Sequence, residues 1–228
     1  MPPSNAHGLC PHVGVPQKRF LFIHVYKVAG TSIRASLERY CEDYPKRRLA
    51  AHLSRLGIHW PRLPDGHMTA LQARAMLGPT VFDRCFKFAF VRNPWDWQVS
   101  LYHYMLKDPN HHQHQLGRSF RDFDDYLHWR IAHDLHTQQA FVTDEHGNLI
   151  VDYVGRMETL DDDFAHVCRA IGIPAITLPH ANPSRHKDYR GYYTDATRER
   201  VAQAFKADIA RFGYCFDGIA PGAGPIVR

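Results

Sequence analysis

A lysine followed by small and hydroxyl-bearing residues stands where an apolar run changes to a helical pattern. Residues 20–33 read FLFIHVYKVAGTSI, with Lys27 after the run and Gly30, Thr31 and Ser32 before the next apolar positions. Free backbone N–H groups at a helix start attract an anion, and glycine lets the backbone approach it closely. The segment therefore predicts a phosphate or sulfate site. The alternative is an ordinary turn with a snorkelling lysine and a hydroxyl cap.

A second segment places an arginine and a serine in a comparable position. Residues 88–102 read FAFVRNPWDWQVSLY, so Arg92 ends an apolar run and Ser100 lies eight residues later. An arginine at the end of a strand can bind a phosphate through two parallel hydrogen bonds. An ion pair with a neighbour such as Asp96 is the structural alternative.

These residues must be positioned by strands that alternate with helices. The runs at 20–25 and 85–91 are apolar on both faces, which is typical of central strands in a parallel sheet. Helices are predicted from the cap Thr69 to Gly78, and from Asn93 as cap with Pro94 at the first helical position. The pattern favours an α/β fold with a mostly parallel sheet, in which ligands bind at the carboxyl ends of the strands.

Three further elements are predicted in the second half of the chain. The segment FVTDEHGNLIVDYV is expected to form a hairpin that turns at residues 146–148. LDDDFAHVCRAIG is expected to be a helix with an acidic first turn. A final long helix capped at Thr194 would align four apolar side chains on one face, namely Val201, Phe205, Ile209 and Phe212.

Composition limits the class of protein. The 228 residues suit one domain, and the net charge of +5 (28 basic minus 23 acidic residues) favours anionic ligands. Five scattered cysteines without a CxxC pair indicate neither a disulfide framework nor a zinc site. The basic residues are interspersed with acids, which argues against nucleic-acid binding. No signal-peptide core or run of about 20 apolar residues is present, so we expect a cytoplasmic location.

Two other functions would also account for a predicted sulfate or phosphate site of this kind. A nucleoside-triphosphate-dependent kinase shares strand-loop-helix phosphate binding, but its GxxxxGK[ST] loop places the lysine directly after the glycine. Here Lys27 precedes Gly30 by three residues, and no carboxylate for Mg²⁺ is evident at a strand end. A non-catalytic module that binds nucleotide or glycan is the second alternative.

Together the two segments resemble the sulfotransferases that use 3′-phosphoadenosine 5′-phosphosulfate (PAPS). The likeness is greatest to the branch with carbohydrate sulfotransferases of the heparan 2-O-sulfotransferase type. Members of this family read like FIHxPKxGGTS and FVRNPxDRxVSxY at these places. Further similar segments are GHMTA (66–70), VGRMETLDDDF (154–164), LPHANPS (178–184) and FGY (212–214). The resemblance implies a P-loop-like nucleotide-binding fold, flanked by helices, in a sulfotransferase domain over residues 18–216. The flanking residues 1–17 and 217–228 are expected to be a flexible arm and a flexible tail.

The resemblance also assigns donor-binding residues. It implies that Lys27, Gly30, Thr31 and Ser32 bind the 5′-phosphosulfate, and that Arg92 and Ser100 bind the 3′-phosphate, with adenosine 3′,5′-bisphosphate (PAP) as product. The segment NPSRHKDYR at 182–190 is expected to close over the nucleotide through Ser184 and Arg185, and an ordinary polar loop is the alternative there. The sequence departs from the family pattern at three places: Tyr26 replaces proline, the pair Val28-Ala29 replaces a more polar pair, and Trp97 replaces arginine.

Sulfuryl transfer requires stabilisation of the leaving oxygen and a base for the acceptor hydroxyl. Lys27 is predicted to stabilise the leaving oxygen. His67 is the predicted base, because related carbohydrate sulfotransferases carry a histidine there, whereas packing or capping is its structural alternative. Glu38 and Glu158 are lesser candidates, and His24 is interpreted as a core residue. The resemblance implies a saccharide hydroxyl as acceptor and no metal ion.

Overall fold

The computed structural model describes residues 19–40, 67–107, 109–179 and 188–228. Its centre is a four-stranded sheet with the order β1-β2-β3-β6. Strands β1 (Phe20–Ile23), β2 (Phe86–Val91) and β3 (Tyr153–Arg156) are parallel, and β6 (Ile226–Val227) pairs antiparallel with β3. The predicted α/β fold with a mostly parallel sheet is confirmed.

Helices cover the sheet and account for the apolar strands. Nearly every residue of the three parallel strands is buried, because helices or loops pack on both faces. The α-helices are α1 (Gly30–Leu37), α2 (Ala70–Leu77), α3 (Pro79–Arg84), α4 (Pro94–Lys107), α5 (His114–Ser119), α6 (Phe123–His133), α7 (Leu160–Ile171), α8 (Asp195–Ala204) and α9 (Lys206–Phe212). In the described ranges no helix combines the length and apolar character needed to cross a bilayer.

The helix signals read from the sequence correspond to observed ends. Thr69 caps α2 in a capping box with Gln72, and Gly78 follows its last residue. Helix α4 starts at Pro94, and the Asn93 side chain accepts a hydrogen bond from the backbone N–H of Trp95 at 3.0 Å. These local rules hold because capping satisfies backbone groups that the helix itself leaves unpaired.

Two predictions about the second half of the chain hold only in part. The expected hairpin is reduced to a turn with a single antiparallel bridge between Thr143 and Leu149, because the following residues join the parallel sheet as β3. The expected long final helix is two helices, α8 and α9, that meet at Phe205. Phe205 leaves helical geometry with φ −109° and ψ 21°, and its side chain is fully buried. Val201, Phe205 and Phe212 are nonetheless buried, as expected for the predicted apolar face.

The residues after 216 contribute to the sheet in this structure. A short hairpin of β4 (Tyr214–Cys215) and β5 (Gly218–Ile219) leads to β6, which covers the outer edge of β3. The Arg156 guanidinium donates to the carbonyl oxygens of Phe212 and Gly224, both at 2.9 Å. These contacts tie the final residues to the parallel sheet.

Strand β2 carries one buried charge. The side chain of Lys87 is 2% exposed, and its ammonium lies 2.9 Å from the carboxylate of Asp152. It also donates to the carbonyl oxygen of Cys85 at 2.6 Å, and the Lys87 backbone N–H donates to the same carboxylate at 2.7 Å. Asp152 therefore compensates a charge that is otherwise withdrawn from water.

We predict that Asp152→Ala lowers the free energy of unfolding by about 3 kcal/mol, because it leaves the buried Lys87 charge without its partner. Urea unfolding measures the change. The double variant Lys87→Met with Asp152→Ala removes the charge as well and should recover much of the loss. Equal losses in the single and double variants would contradict the importance of this ion pair.

Candidate functional site

The loop between β1 and α1 has an unusual backbone. Lys27 and Ala29 adopt left-handed conformations with φ of 64° and 59°, and Ala29 is the N-cap of α1. Residues other than glycine are strained in this region, and such strain concentrates at functional sites. Val28, between them, is fully buried and anchors the loop in the core. Ala29 stands at the first glycine of the family pattern and adopts its left-handed φ without that glycine.

Gly30 begins α1 and has no room for a side chain. A Cβ atom at this position would lie 1.7 Å from Nε2 of His24, whose imidazole packs against the loop. The His24 ring also stacks on Phe22, with centroids 5.5 Å apart. The glycine is thus required by the packing of His24 as well as by the predicted approach of an anion. His24, interpreted from the sequence as a core residue, is half-buried beside the loop.

The Lys27 ammonium is partly withdrawn from water beside the loop. It lies 3.9 Å from the centre of the Tyr104 ring, which is a cation–π contact. Its pKa is lowered from 10.5 to about 8, first by burial and then by the nearby charges of Arg92 and Lys107. Burial and like charges both disfavour the protonated amine, so a bound anion would restore its proton affinity.

Arg92 brings the two predicted motifs together. It follows β2, the strand adjacent to β1, and its Nη1 donates to the carbonyl oxygen of Lys27 at 3.4 Å. Its Nε donates to the carboxylate of Asp96 at 2.6 Å, so the structural alternative considered for Arg92 is present. The same guanidinium therefore bridges an ion pair and the Lys27 loop.

The backbone of Arg92 is held by a residue that the sequence did not indicate. The Gln138 side chain accepts from the Arg92 N–H at 2.9 Å and donates to the Arg92 carbonyl oxygen at 2.7 Å. Asp208 in turn accepts from the backbone N–H groups of Gln138 and Gln139 at 2.8 and 2.9 Å. Asp208 is fully buried, and burial raises its pKa to about 6. No local signal could have identified Gln138, because its partners are 46 and 70 residues away.

The hydroxyl residues that the resemblance assigns to PAPS binding lie on α1 and α4. Thr31 is exposed in the first turn of α1, and Ser32 beside it is buried. Ser100 is buried within α4, the helix that follows Arg92. Ser184 and Arg185 lie outside the described residues.

His67 is placed close to the Lys27 loop by the start of α2. Its Nδ1 lies 3.1 Å from the backbone carbonyl oxygen of His24. A carbonyl oxygen can only accept, so Nδ1 carries the proton in the neutral ring and Nε2 is the basic nitrogen. The His67 ring lies 4.6 Å from that of His24 and 5.6 Å from that of Tyr26. The tautomer thus suits a general base.

Lys27 and His67 line one cavity of about 470 Å³. Volumes in this range are typical of small-molecule sites. Its wall is rich in aromatic side chains and carries a few polar groups, among them Tyr26, Tyr104, Tyr126, Trp129, Arg130 and Asp134. The structure therefore brings the predicted lysine and the predicted base to one cavity.

The two lesser candidates for the base, Glu158 and Glu38, differ in their surroundings. The Glu158 carboxylate accepts from the Asn93 N–H at 2.7 Å and from the Tyr214 hydroxyl at 2.8 Å. Glu38 is exposed in a 3-10 helix after α1. Within the described parts of the chain, no group of three or more histidine, cysteine or acidic side chains is arranged to hold a metal ion.

We predict that the affinity for PAP is steady between pH 7 and 8 and falls by up to about tenfold per pH unit above pH 8. We expect the protonated form of Lys27 to bind the anion, and this form is lost as the pH rises through its pKa of about 8. Isothermal titration calorimetry across this pH range measures the effect. Lys27→Arg keeps its charge throughout and should flatten the profile, whereas an unchanged profile in this variant would assign the titration to another group.

Comparison with known proteins gives a family for this arrangement. A family model described as "Sulfotransferase family" matches residues 13–215. An uncharacterized protein from Archaeoglobus fulgidus is 33% identical over 126 residues, which are 54% of this chain and 98% of that protein. Among solved structures, mouse sulfotransferase SULT7A1 complexed with PAP is similar, with a TM-score of 0.49, 16% identity and coverage of 83% of both chains. The family match covers most of the chain, so the sulfotransferase assignment made from the sequence is confirmed and the chain belongs to the sulfotransferase family.

Proposed function

We propose that this sulfotransferase moves the sulfuryl group of PAPS to a hydroxyl group of a saccharide. The observation that carries the proposal is the convergence of Lys27 and Arg92. The Arg92 guanidinium contacts the Lys27 backbone where adjacent parallel strands end, beside the amino end of α1, and its charge lowers the pKa of the Lys27 ammonium after burial does. Such a place, with like charges and free helix N–H groups, favours an anionic ligand.

The donor would be held by both motifs. Lys27 with Gly30, Thr31 and Ser32 would bind the 5′-phosphosulfate at the start of α1. Arg92 would bind the 3′-phosphate together with Ser100, which lies two turns along the following helix. The two hydrogen bonds between the Gln138 side chain and the Arg92 backbone support this role, because they fix the backbone from which the Arg92 side chain extends. Ser184 and Arg185 stay predictions from the sequence.

The transfer step uses the lysine and the histidine of the cavity. Nε2 of His67 would take the proton of the acceptor hydroxyl, whose oxygen attacks sulfur. A new oxygen–sulfur bond forms as the bond from sulfur to the 5′-phosphate oxygen breaks, and PAP leaves. The Lys27 ammonium would stabilise the charge that grows on this leaving oxygen. The proposal includes no metal ion.

A saccharide acceptor is supported by the cavity. Its aromatic side chains offer apolar faces, and its polar groups offer hydrogen-bond partners. A sugar ring has both kinds of surface. The cytoplasmic location, the absence of a nucleic-acid partner and the domain limits at 18–216 stay predictions from the sequence.

We predict that PAP at about a hundred times its dissociation constant stabilises the native state by about 2.7 kcal/mol. For a chain of this size, the midpoint of thermal unfolding should rise by roughly 5–10 °C. The matched ligands are 5′-ADP, which lacks the 3′-phosphate, and Mg-ATP. A larger rise with PAP than with 5′-ADP supports recognition of the 3′-phosphate. A rise with Mg-ATP alone would favour the kinase alternative and contradict the proposed donor.

We predict that Lys27→Ala and His67→Asn each lower kcat by about 10²-fold or more, because each removes a group that acts in the transition state. Transfer of labelled sulfate from PAPS to saccharides measures kcat. His146→Asn is the matched control, because His146 is exposed in the turn before β3. Parental kcat in Lys27→Ala would refute its role, and a protein that binds PAP without turnover would favour the non-catalytic module.

A further inference from the structure

Two positions at which the sequence departs from the family pattern contact each other. Tyr26 stands in place of proline and Trp97 in place of arginine. Their rings stack with centroids 4.9 Å apart and planes inclined by 28°. The Trp97 indole N–H also donates to the carbonyl oxygen of Tyr26 at 2.8 Å. Trp97 is fully buried, so it fixes both the backbone and the ring of Tyr26.

A third residue fixes the hydroxyl of Tyr26. Arg130, on α6, is 3% exposed, and its Nη2 donates to the Tyr26 hydroxyl oxygen at 2.9 Å. Asp134 pairs with the same guanidinium through Nη1, and the Trp97 ring centre lies 5.9 Å from it. Arginine is a donor only, so the Tyr26 oxygen must accept here and its own proton points elsewhere.

The Tyr26 hydroxyl can donate its own proton. Burial is the main cause that raises the Tyr26 pKa, so the phenol keeps its proton at neutral pH. Within the described ranges, the only hydrogen bond of this hydroxyl is the one it accepts from Arg130. Tyr26 lines the same cavity as His67, with which it makes an edge-to-face contact. The cavity therefore presents a hydrogen-bond donor beside the predicted base.

We propose that Tyr26 is a specificity-determining residue that donates a hydrogen bond to one hydroxyl oxygen of the acceptor while His67 receives the proton of the neighbouring hydroxyl. The acceptor class is then a ring with adjacent hydroxyl groups, as in a saccharide, in preference to a compound with a single hydroxyl. The inference rests on the proposed function. Trp97 and Arg130 act as positioning residues, because they hold the ring and the oxygen of Tyr26 in place.

The test compares Tyr26→Phe with the parental enzyme on two kinds of acceptor. Methyl β-D-glucopyranoside and methyl β-D-galactopyranoside carry adjacent hydroxyls, whereas 4-nitrophenol has one. Tyr26→Phe keeps the stacked ring and removes only the hydroxyl. We expect kcat/KM to fall about 3- to 10-fold for the glycosides, the loss of one neutral hydrogen bond, and to stay unchanged for 4-nitrophenol.

The matched control is Tyr126→Phe. Tyr126 lines the same cavity and lies on the same helix as Arg130, but its hydroxyl already bonds to Gln98 at 3.4 Å. In this variant kcat/KM should change by the same factor for both kinds of acceptor. An equal loss on both kinds in Tyr26→Phe, or no loss on either, would overturn the inference. The inference would also be overturned if the parental enzyme transferred sulfate only to 4-nitrophenol, or to none of the three compounds.

The thermal midpoint with PAP separates this inference from the proposed function. In Tyr26→Phe the rise caused by PAP should equal the parental rise, because Tyr26 does not belong to the assigned donor residues. If the parental enzyme gives no rise with PAP, the proposed function fails. If the rise is intact and the acceptor preference is absent, only the role of Tyr26 fails.

Discussion

The hydrogen bond from Arg92 to the Lys27 carbonyl oxygen connects the two motifs of the site. It exists because β1 and β2 pair in parallel, which places the ends of both strands at one edge of the sheet. Parallel pairing requires a long crossover, so residues separated by 65 positions become neighbours. The two cations would repel each other there, and the fold must hold both in place.

Several buried groups supply that restraint. The Gln138 side chain accepts from the backbone N–H of Arg92 and donates to its carbonyl oxygen, and the Asp208 carboxylate accepts from the backbone N–H of Gln138. Asp96 balances part of the charge of the guanidinium. Val28 anchors the left-handed loop in the core, so the strain of two non-glycine residues is offset by packing. Burial first, and then the charges of Arg92 and Lys107, lower the pKa of Lys27 in this place.

The departures from the family pattern form a coherent arrangement. Proline would limit the loop through its fixed φ, whereas here a stacked Tyr26 and Trp97 restrain it through side-chain packing. Arg130 supplies a guanidinium from α6, beside the position where the family pattern has arginine. The substitutions thus place a phenol in the cavity wall that a proline could not provide.

The sequence by itself determined the local features of this protein. Apolar runs marked β1 and β2, capping residues marked the starts of α2 and α4, and the spacing of Lys27 from Gly30 distinguished the loop from that of a nucleoside triphosphatase. These features depend on neighbouring residues in the chain, so they can be read without the fold.

Only the tertiary structure decided which distant residues meet. The hydrogen bonds of Gln138 to Arg92, the tautomer of His67 and the pairing of Tyr26 with Trp97 all arise from contacts between separate elements. These contacts join residues 43, 46 and 71 positions apart in the chain, and they form because a buried polar group without a partner is costly.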